Sequence, residues 1–141
     1  MLAGVIVVVA AVLAVIVERR RPAPPTQATW STPAQLDRAD FDHPDAPWLV
    51  AVFTSATCES CIRARDKALV LASEDVAVQE VEVTARKDLH DRYSIEAVPI
   101  ILVADREGVV QKSFVGPPTA TDLWAAVAEA RQLGGASPEP T

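Results

Sequence analysis

Cys58 and Cys61 are the only cysteines in a chain of 141 residues, and their surroundings limit what the chain can fold into. They follow an apolar run, Trp48-Leu49-Val50-Ala51-Val52-Phe53, that reads as a buried strand. They lead into Ile62 to Ala72, which lacks Gly and Pro and is rich in Ala, Arg, Lys and Leu, and so reads as a helix. The pair therefore straddles a helix N-terminus, where free backbone N–H groups and the positive end of the dipole stabilise a thiolate. Cys58 is the expected exposed nucleophile. Cys61, three residues on and one turn deeper, lies within disulfide reach and can resolve a mixed disulfide. A strand running into Cys-x-x-Cys is the setting of a dithiol redox motif.

The motif has other uses, and the sequence weighs on each. A structural zinc site wants four ligands, and only His43 and His90 are left to complete one, neither at finger-like spacing. A purely structural clip across so short a loop restricts the unfolded chain little. Inert thiols are the third alternative. One pair, rather than four or six cysteines, also argues against a disulfide-stapled secreted scaffold.

Residues Leu2 to Val17 are uninterrupted Leu, Ala, Val, Ile and one Gly, followed by Glu18-Arg19-Arg20-Arg21. At 1.5 Å per residue such a run spans roughly 25 Å, the short end of a bilayer crossing. A signal peptide would carry its basic residues before the apolar run, whereas here three Arg follow it. Residues 1–21 are therefore expected to be a single transmembrane helix with a basic flank. The positive-inside rule puts Arg19 to Arg21 and all that follows in the cytoplasm; the reversed topology is the alternative they speak against. Residues 22–33, with Pro22, Pro24 and Pro25, read as an extended linker.

Residues 34–134 are expected to form one domain, and 135–141, rich in Pro, Ser and Glu, a disordered tail. Formal net charge is −6 overall, and the first 21 residues carry three Arg against one Glu, so the remainder is more acidic still. Nucleic acid is a poor partner for such a surface. Half of all residues are hydrophobic but only 5% aromatic, so the core must be built from Val, Ala, Leu and Ile.

In order, a short strand or turn is expected near Gln35-Leu36, a central strand over Trp48–Thr54, and the cysteine-bearing helix ending near Ser73-Glu74-Asp75. A strand over Val76–Val83 follows, its alternation slipping in the middle, and completes a parallel βαβ unit. A short polar helix spans Ala85–Tyr93 and breaks at Ser94. A strand over Val98–Ala104 opens with a proline, and Asp105-Arg106-Glu107-Gly108 turns with Gly108 left-handed. An edge strand over Val109–Val115 returns antiparallel. Thr119 or Thr121 caps a last helix whose Leu123, Trp124, Val127 and Leu133 are expected to face the sheet.

This order, with Cys-x-x-Cys at the first helix and Val98-Pro99 opening a later strand, resembles thioredoxin over roughly Trp48 to Leu133. The segment Tyr93-Ser94-Ile95-Glu96-Ala97-Val98-Pro99 is similar to the family's Tyr-Gly-Ile-x-Gly-Ile-Pro. The resemblance implies an α/β, thioredoxin-like fold: a central mixed sheet flanked by helices, here preceded by the transmembrane helix. It also implies a cis Val98–Pro99 bond beside the redox pair and thiol–disulfide exchange needing no cofactor and no metal. The implied partner is a disulfide-containing protein substrate held near Thr57, Val98 and Pro99; the electron donor is left unspecified.

The chain departs from the family in ways that bear on mechanism. Thr57 stands where the family usually has Trp. Val52 takes the place of a buried Asp beneath the second cysteine, and Glu80 falls where that Asp's Lys neighbour would be. Glu80 is therefore expected as the buried proton acceptor for Cys61, with a solvated strand carboxylate as the alternative. Glu59, beside the nucleophile, is expected to oppose thiolate formation and favour the disulfide-reducing end of the range. These departures leave open a second reading, a redox-sensing or partner-binding module without turnover.

Overall fold

The computed structural model describes residues 30–135. The elements run β1 (Trp48–Thr54), α1 (Glu59–Leu69), β2 (Val76–Glu82), α2 (Lys87–Arg92), β3 (Ile100–Ala104), β4 (Val110–Val115) and α3 (Ala120–Gly135), with a 3-10 turn at Arg38–Asp40 before them. The strands form one mixed sheet in the order β2-β1-β3-β4. β1 is parallel to β2, while β3 is antiparallel to both β1 and β4.

The sheet is covered on both faces, which explains the unbroken apolar character of β1 and β3. All seven residues of β1 and all five of β3 are buried. Alternate side chains separate into two cores. Leu49, Ala51, Phe53, Val81, Ile100 and Leu102 pack with Leu89 and Tyr93 from the α2 side and with Leu36 and Phe41 from the N-terminal segment. Val50, Val52, Ile101 and Val103 pack with Ala64 and Ala68 of α1 and with Leu123, Val127 and Ala130 of α3. The same division accounts for the slip in β2: Val76 and Val81 have opposite parity, and each is buried against a different layer.

Several boundaries differ from the expected ones. α1 ends at Leu69 rather than near Ser73, because the chain tightens into i→i+3 bonds from Leu71 N to Ala68 O and Ala72 N to Leu69 O. The strand opened by Val98-Pro99 starts at Ile100, so the proline sits just outside the ladder. Gln35 makes an isolated bridge to Val109 instead of a strand. α3 is capped by Thr119, whose hydroxyl oxygen accepts from Asp122 N–H at 3.1 Å.

On α3, Leu123 and Val127 face the sheet as expected, but Trp124 and Leu133 do not; they are 42% and 67% exposed. Helical spacing from Leu123 continues through Val127, Ala130 and Gly134, which leaves Trp124 about 100° away. Its indole Nε1 donates instead to Lys67 O on α1 at 3.2 Å. α3 runs through Gly134, where the lack of a side chain leaves room for the Trp48 ring: a Cβ there would lie only 2.6 Å from it. Gly108, at φ +83°, forms the β3–β4 turn as expected.

Among the described residues no helix is long and apolar enough to cross a membrane. The helix expected over 1–21, most of the linker and all of the tail expected over 135–141 except Gly135, which instead closes α3, lie outside the described residues.

Candidate functional site

β1 delivers the chain to the redox pair at its C-terminal end, and the opening of β3 lies at the same end, since Ile100 pairs with Phe53. The Val98–Pro99 peptide is cis, as the resemblance implied. Pro99 is buried and Val98 half-buried. The end of β4 joins them: Val115 pairs with Ile100, and Gly116 N–H donates to Pro99 O at 2.9 Å. Val115 is 47% exposed, and so is Ile62, at 48%, directly after Cys61. Thr57, Val98 and Pro99, all anticipated, and Ile62 and Val115, which were not, therefore lie at one end of the sheet.

Cys58 and Cys61 are joined by a disulfide, with Cα atoms 5.3 Å apart. Cys58 is the N-cap of α1, with extended backbone (φ −99°, ψ 106°), a geometry that turns its side chain back over the first helical turn. Its Sγ accepts from Cys61 N–H at 3.2 Å, where a capping oxygen would otherwise sit. Cys58 is half-buried and Cys61 is 1% exposed, so one sulfur faces solvent and the other the core. His43 and His90 do not converge on the pair. His90 is buried and bonds Val81 O through Nε2 at 2.8 Å, whereas His43 sits in the exposed turn before β1. Among the described residues no group of three or more His, Cys, Asp or Glu side chains is arranged to hold a metal.

Glu80 pairs in register with Val52 and faces the α1 side of the sheet. It is not buried, which corrects the expectation: its side chain retains 34% exposure. One oxygen accepts from the Thr54 hydroxyl at 2.8 Å, and the other lies 3.5 Å from Arg65, one turn past Cys61 on α1. β2 is an edge strand of the sheet, so a carboxylate on it keeps contact with water.

Three further residues escaped the sequence reading. Glu82 has the parity of Glu80, two residues on, and its carboxylate accepts backbone N–H from Ala85 (2.9 Å), Thr84 (2.9 Å) and Ala56 (3.2 Å). It thus ties the loop entering the redox pair to the turn after β2. Those bonds, Ala85's foremost, hold its carboxyl below the usual range. Ser55 accepts from Cys58 N–H through its carbonyl at 3.1 Å, fixing the same loop. Ser60 places its hydroxyl 3.4 Å from Cys58 Sγ. Glu59 is 89% exposed and pairs with Arg63 at 3.2 Å.

A cleft of about 580 Å³ lined by His43, Pro47, Ser73 and Val76 lies at the strand-start end of β1 and β2, away from the cysteines.

Solved thioredoxins share this architecture. A thioredoxin mutant from Halobacterium salinarum is 22% identical, covering 61% of this chain and 76% of that one, with a TM-score of 0.55. Thioredoxin from Fasciola hepatica is 23% identical, over 60% and 81%, at 0.52. Mitochondrial thioredoxin 3 from Saccharomyces cerevisiae, in its oxidized form, is 19% identical, over 61% and 81%, at 0.52. No family model matches the chain, and no curated protein does. At these identities the likeness is one of fold.

Proposed function

We propose that this chain, a thioredoxin-like fold with a Cys58–Cys61 disulfide, is a thiol–disulfide oxidoreductase that reduces disulfides in protein substrates. The single observation carrying the reading is the asymmetry of the pair. A half-exposed sulfur caps a helix N-terminus, and a buried partner is already bonded to it.

In the reduced protein the Cys58 thiolate attacks one sulfur of a substrate disulfide. A Cys58–substrate bond forms, the substrate bond breaks, and the expelled thiolate takes up a proton. Cys61, deprotonated, then attacks Cys58 Sγ, which closes Cys58–Cys61 and releases the second substrate thiol. The substrate gains two electrons and two protons, the protein loses them, and an external thiol reductant restores the dithiol. Glu80, the water-exposed carboxylate on the α1-facing side of β2, takes the proton of Cys61. Substrate lies extended across Thr57, Val98 and Pro99, with the Val98 backbone pairing to it as to a strand and Ile62 and Val115 supplying apolar contact. No metal or organic cofactor enters this scheme.

The sequence further supports a membrane tether through residues 1–21 with the domain facing the cytoplasm, because three Arg directly follow the apolar run. A compartment-sensitive reporter fused after Thr141 tests that topology. The catalytic reading is tested by insulin reduction with dithiothreitol as donor: the wild type accelerates it, and Cys58→Ser abolishes the acceleration. A wild type that reduces no faster than dithiothreitol alone refutes the reading and favours a binding module.

A further inference from the structure

We propose that Ser60 is a catalytic hydroxyl of the redox pair, donating a hydrogen bond to the Cys58 sulfur as that sulfur becomes a thiolate. The inference deepens the oxidoreductase reading and rests on it.

Ser60 Oγ lies 3.4 Å from Cys58 Sγ. A disulfide sulfur carries no proton, so within this contact the hydroxyl is the donor. The same sulfur already receives Cys61 N–H at 3.2 Å. The helix start explains why both donors converge. Cys58 is the N-cap, so its side chain folds back over the second and third helical residues, Ser60 and Cys61. Cys61 can offer only its backbone N–H, whereas Ser60 adds a side-chain donor that Ala or Pro at that position would lack. Ser60 and Cys58 are both half-buried, so the contact is partly shielded from competing water.

The charge balance at the site favours this hydroxyl over Glu59. The Glu59 carboxylate is 89% exposed and lies 3.2 Å from the Arg63 guanidinium, so its field at the sulfur is screened by solvent and offset by a neighbouring cation. Ser60 acts by direct contact. A thiolate accepts a hydrogen bond far more strongly than a neutral disulfide sulfur does, so the bond is worth most in the reduced protein. It raises the thiolate fraction at neutral pH and makes the pair easier to reduce. Glu59 alone would place the pair toward the reducing end; Ser60 moves it back.

The test is the pH dependence of iodoacetamide alkylation of Cys58 in the reduced full chain, which reads the thiolate directly and needs no substrate protein. Loss of one hydrogen bond to a charged group corresponds to about a ten-fold change. Ser60→Ala is therefore expected to lower the Cys58 thiolate fraction at pH 6 about ten-fold, read from the midpoint of the alkylation profile, and to shift the glutathione equilibrium toward the disulfide. Ser60→Thr, which keeps the hydroxyl, restores both. Glu59→Gln is expected to change the pH 6 rate less than three-fold. A Ser60→Ala profile that superimposes on the wild type, or a Thr variant that behaves like Ala, overturns the proposal. Insulin turnover measured in parallel separates the two claims: an altered profile without turnover refutes only the oxidoreductase reading, and turnover with an unaltered profile refutes only Ser60.

Discussion

Removing the Tyr93 hydroxyl tests how the N-terminal segment is fastened to the fold that holds the site. The phenol donates to Asp40 Oδ2 and accepts from Asp37 N–H at 2.9 Å, joining α2 to the turn at Arg38–Asp40. Arg92 braces the carboxylates of Asp40 and Asp37 at 3.0 and 3.3 Å. Tyr93→Phe keeps the ring against Phe41 and Phe53 and removes only the oxygen. Tyr93 is 9% exposed, so losing a hydrogen bond to a charged acceptor there costs about 2 kcal/mol. Asp37 is exposed, and water replaces its lost acceptor, adding little. In a domain of this size the cost corresponds to a fall in Tm of roughly 8–16 °C.

The pH dependence gives a second arm. Burial first, and then the bond to Asp40, push the Tyr93 phenol up from 10.0 to about 12. A raised folded-state value means that the contribution is complete below pH 10 and is lost as pH rises through 12. By pH 11 about 1.4 kcal/mol of it is gone. Phe has no such proton, and other titrations cancel in the comparison. Urea unfolding followed by circular dichroism is therefore expected to show a gap of about 2 kcal/mol between wild type and Tyr93→Phe at pH 7, most of it closed at pH 11. A gap below about 0.5 kcal/mol at pH 7, within the range of an ordinary surface substitution, or one that stays constant to pH 11, refutes the reasoning.

Three further outcomes follow from the same geometry. Gly108→Ala is expected to destabilise by about 3 kcal/mol in urea unfolding, because φ is +83° and the new Cβ would lie 2.0 Å from Leu36 O. Glu82 has a depressed folded-state value, so its contribution is present above the ordinary carboxylate range and lost as pH falls through the folded value. Urea midpoints of wild type and Glu82→Gln are thus expected to differ at pH 7 and converge toward pH 2. If Glu80 receives the Cys61 proton, Glu80→Gln changes the pH profile of disulfide reduction; an untouched profile assigns Glu80 to a solvated ion-pair role with Arg65.

The sequence displayed the sheet more clearly than the site. β1 could be read to the residue because both faces are apolar, and the Gly108 turn because only a glycine suits that φ. Leu36 and Phe41 were not recognised as core residues: each is a single apolar side chain among Pro and Asp, and no periodicity marks them, yet they are 1% and 4% exposed. Arg38, 7% exposed, was equally hidden, because its guanidinium partners, the carbonyls of Asp105 and His43, are supplied by tertiary structure. Trp124 misled through its size; helical angle, not hydrophobicity, decides which way it faces. The cysteines were legible as a redox pair through their spacing together with the apolar strand before them and the helical stretch after them. Glu80 could be placed on β2, but its exposure depended on β2 being an edge strand, which a one-dimensional pattern does not specify. Glu82 was within reach, since it shares the parity of Glu80 across one intervening residue.

The most direct test of the exchange chemistry is to capture its covalent intermediate. Cys61→Ser removes the resolving sulfur, so when the reduced variant meets a disulfide-containing polypeptide, mass spectrometry is expected to show a stable adduct through Cys58 that dithiothreitol releases. Wild type under the same conditions should yield free substrate thiols and a closed Cys58–Cys61 bond instead. No adduct on Cys61→Ser, or an equal adduct on Cys58→Ser, contradicts the assignment of Cys58 as nucleophile and Cys61 as its resolving partner.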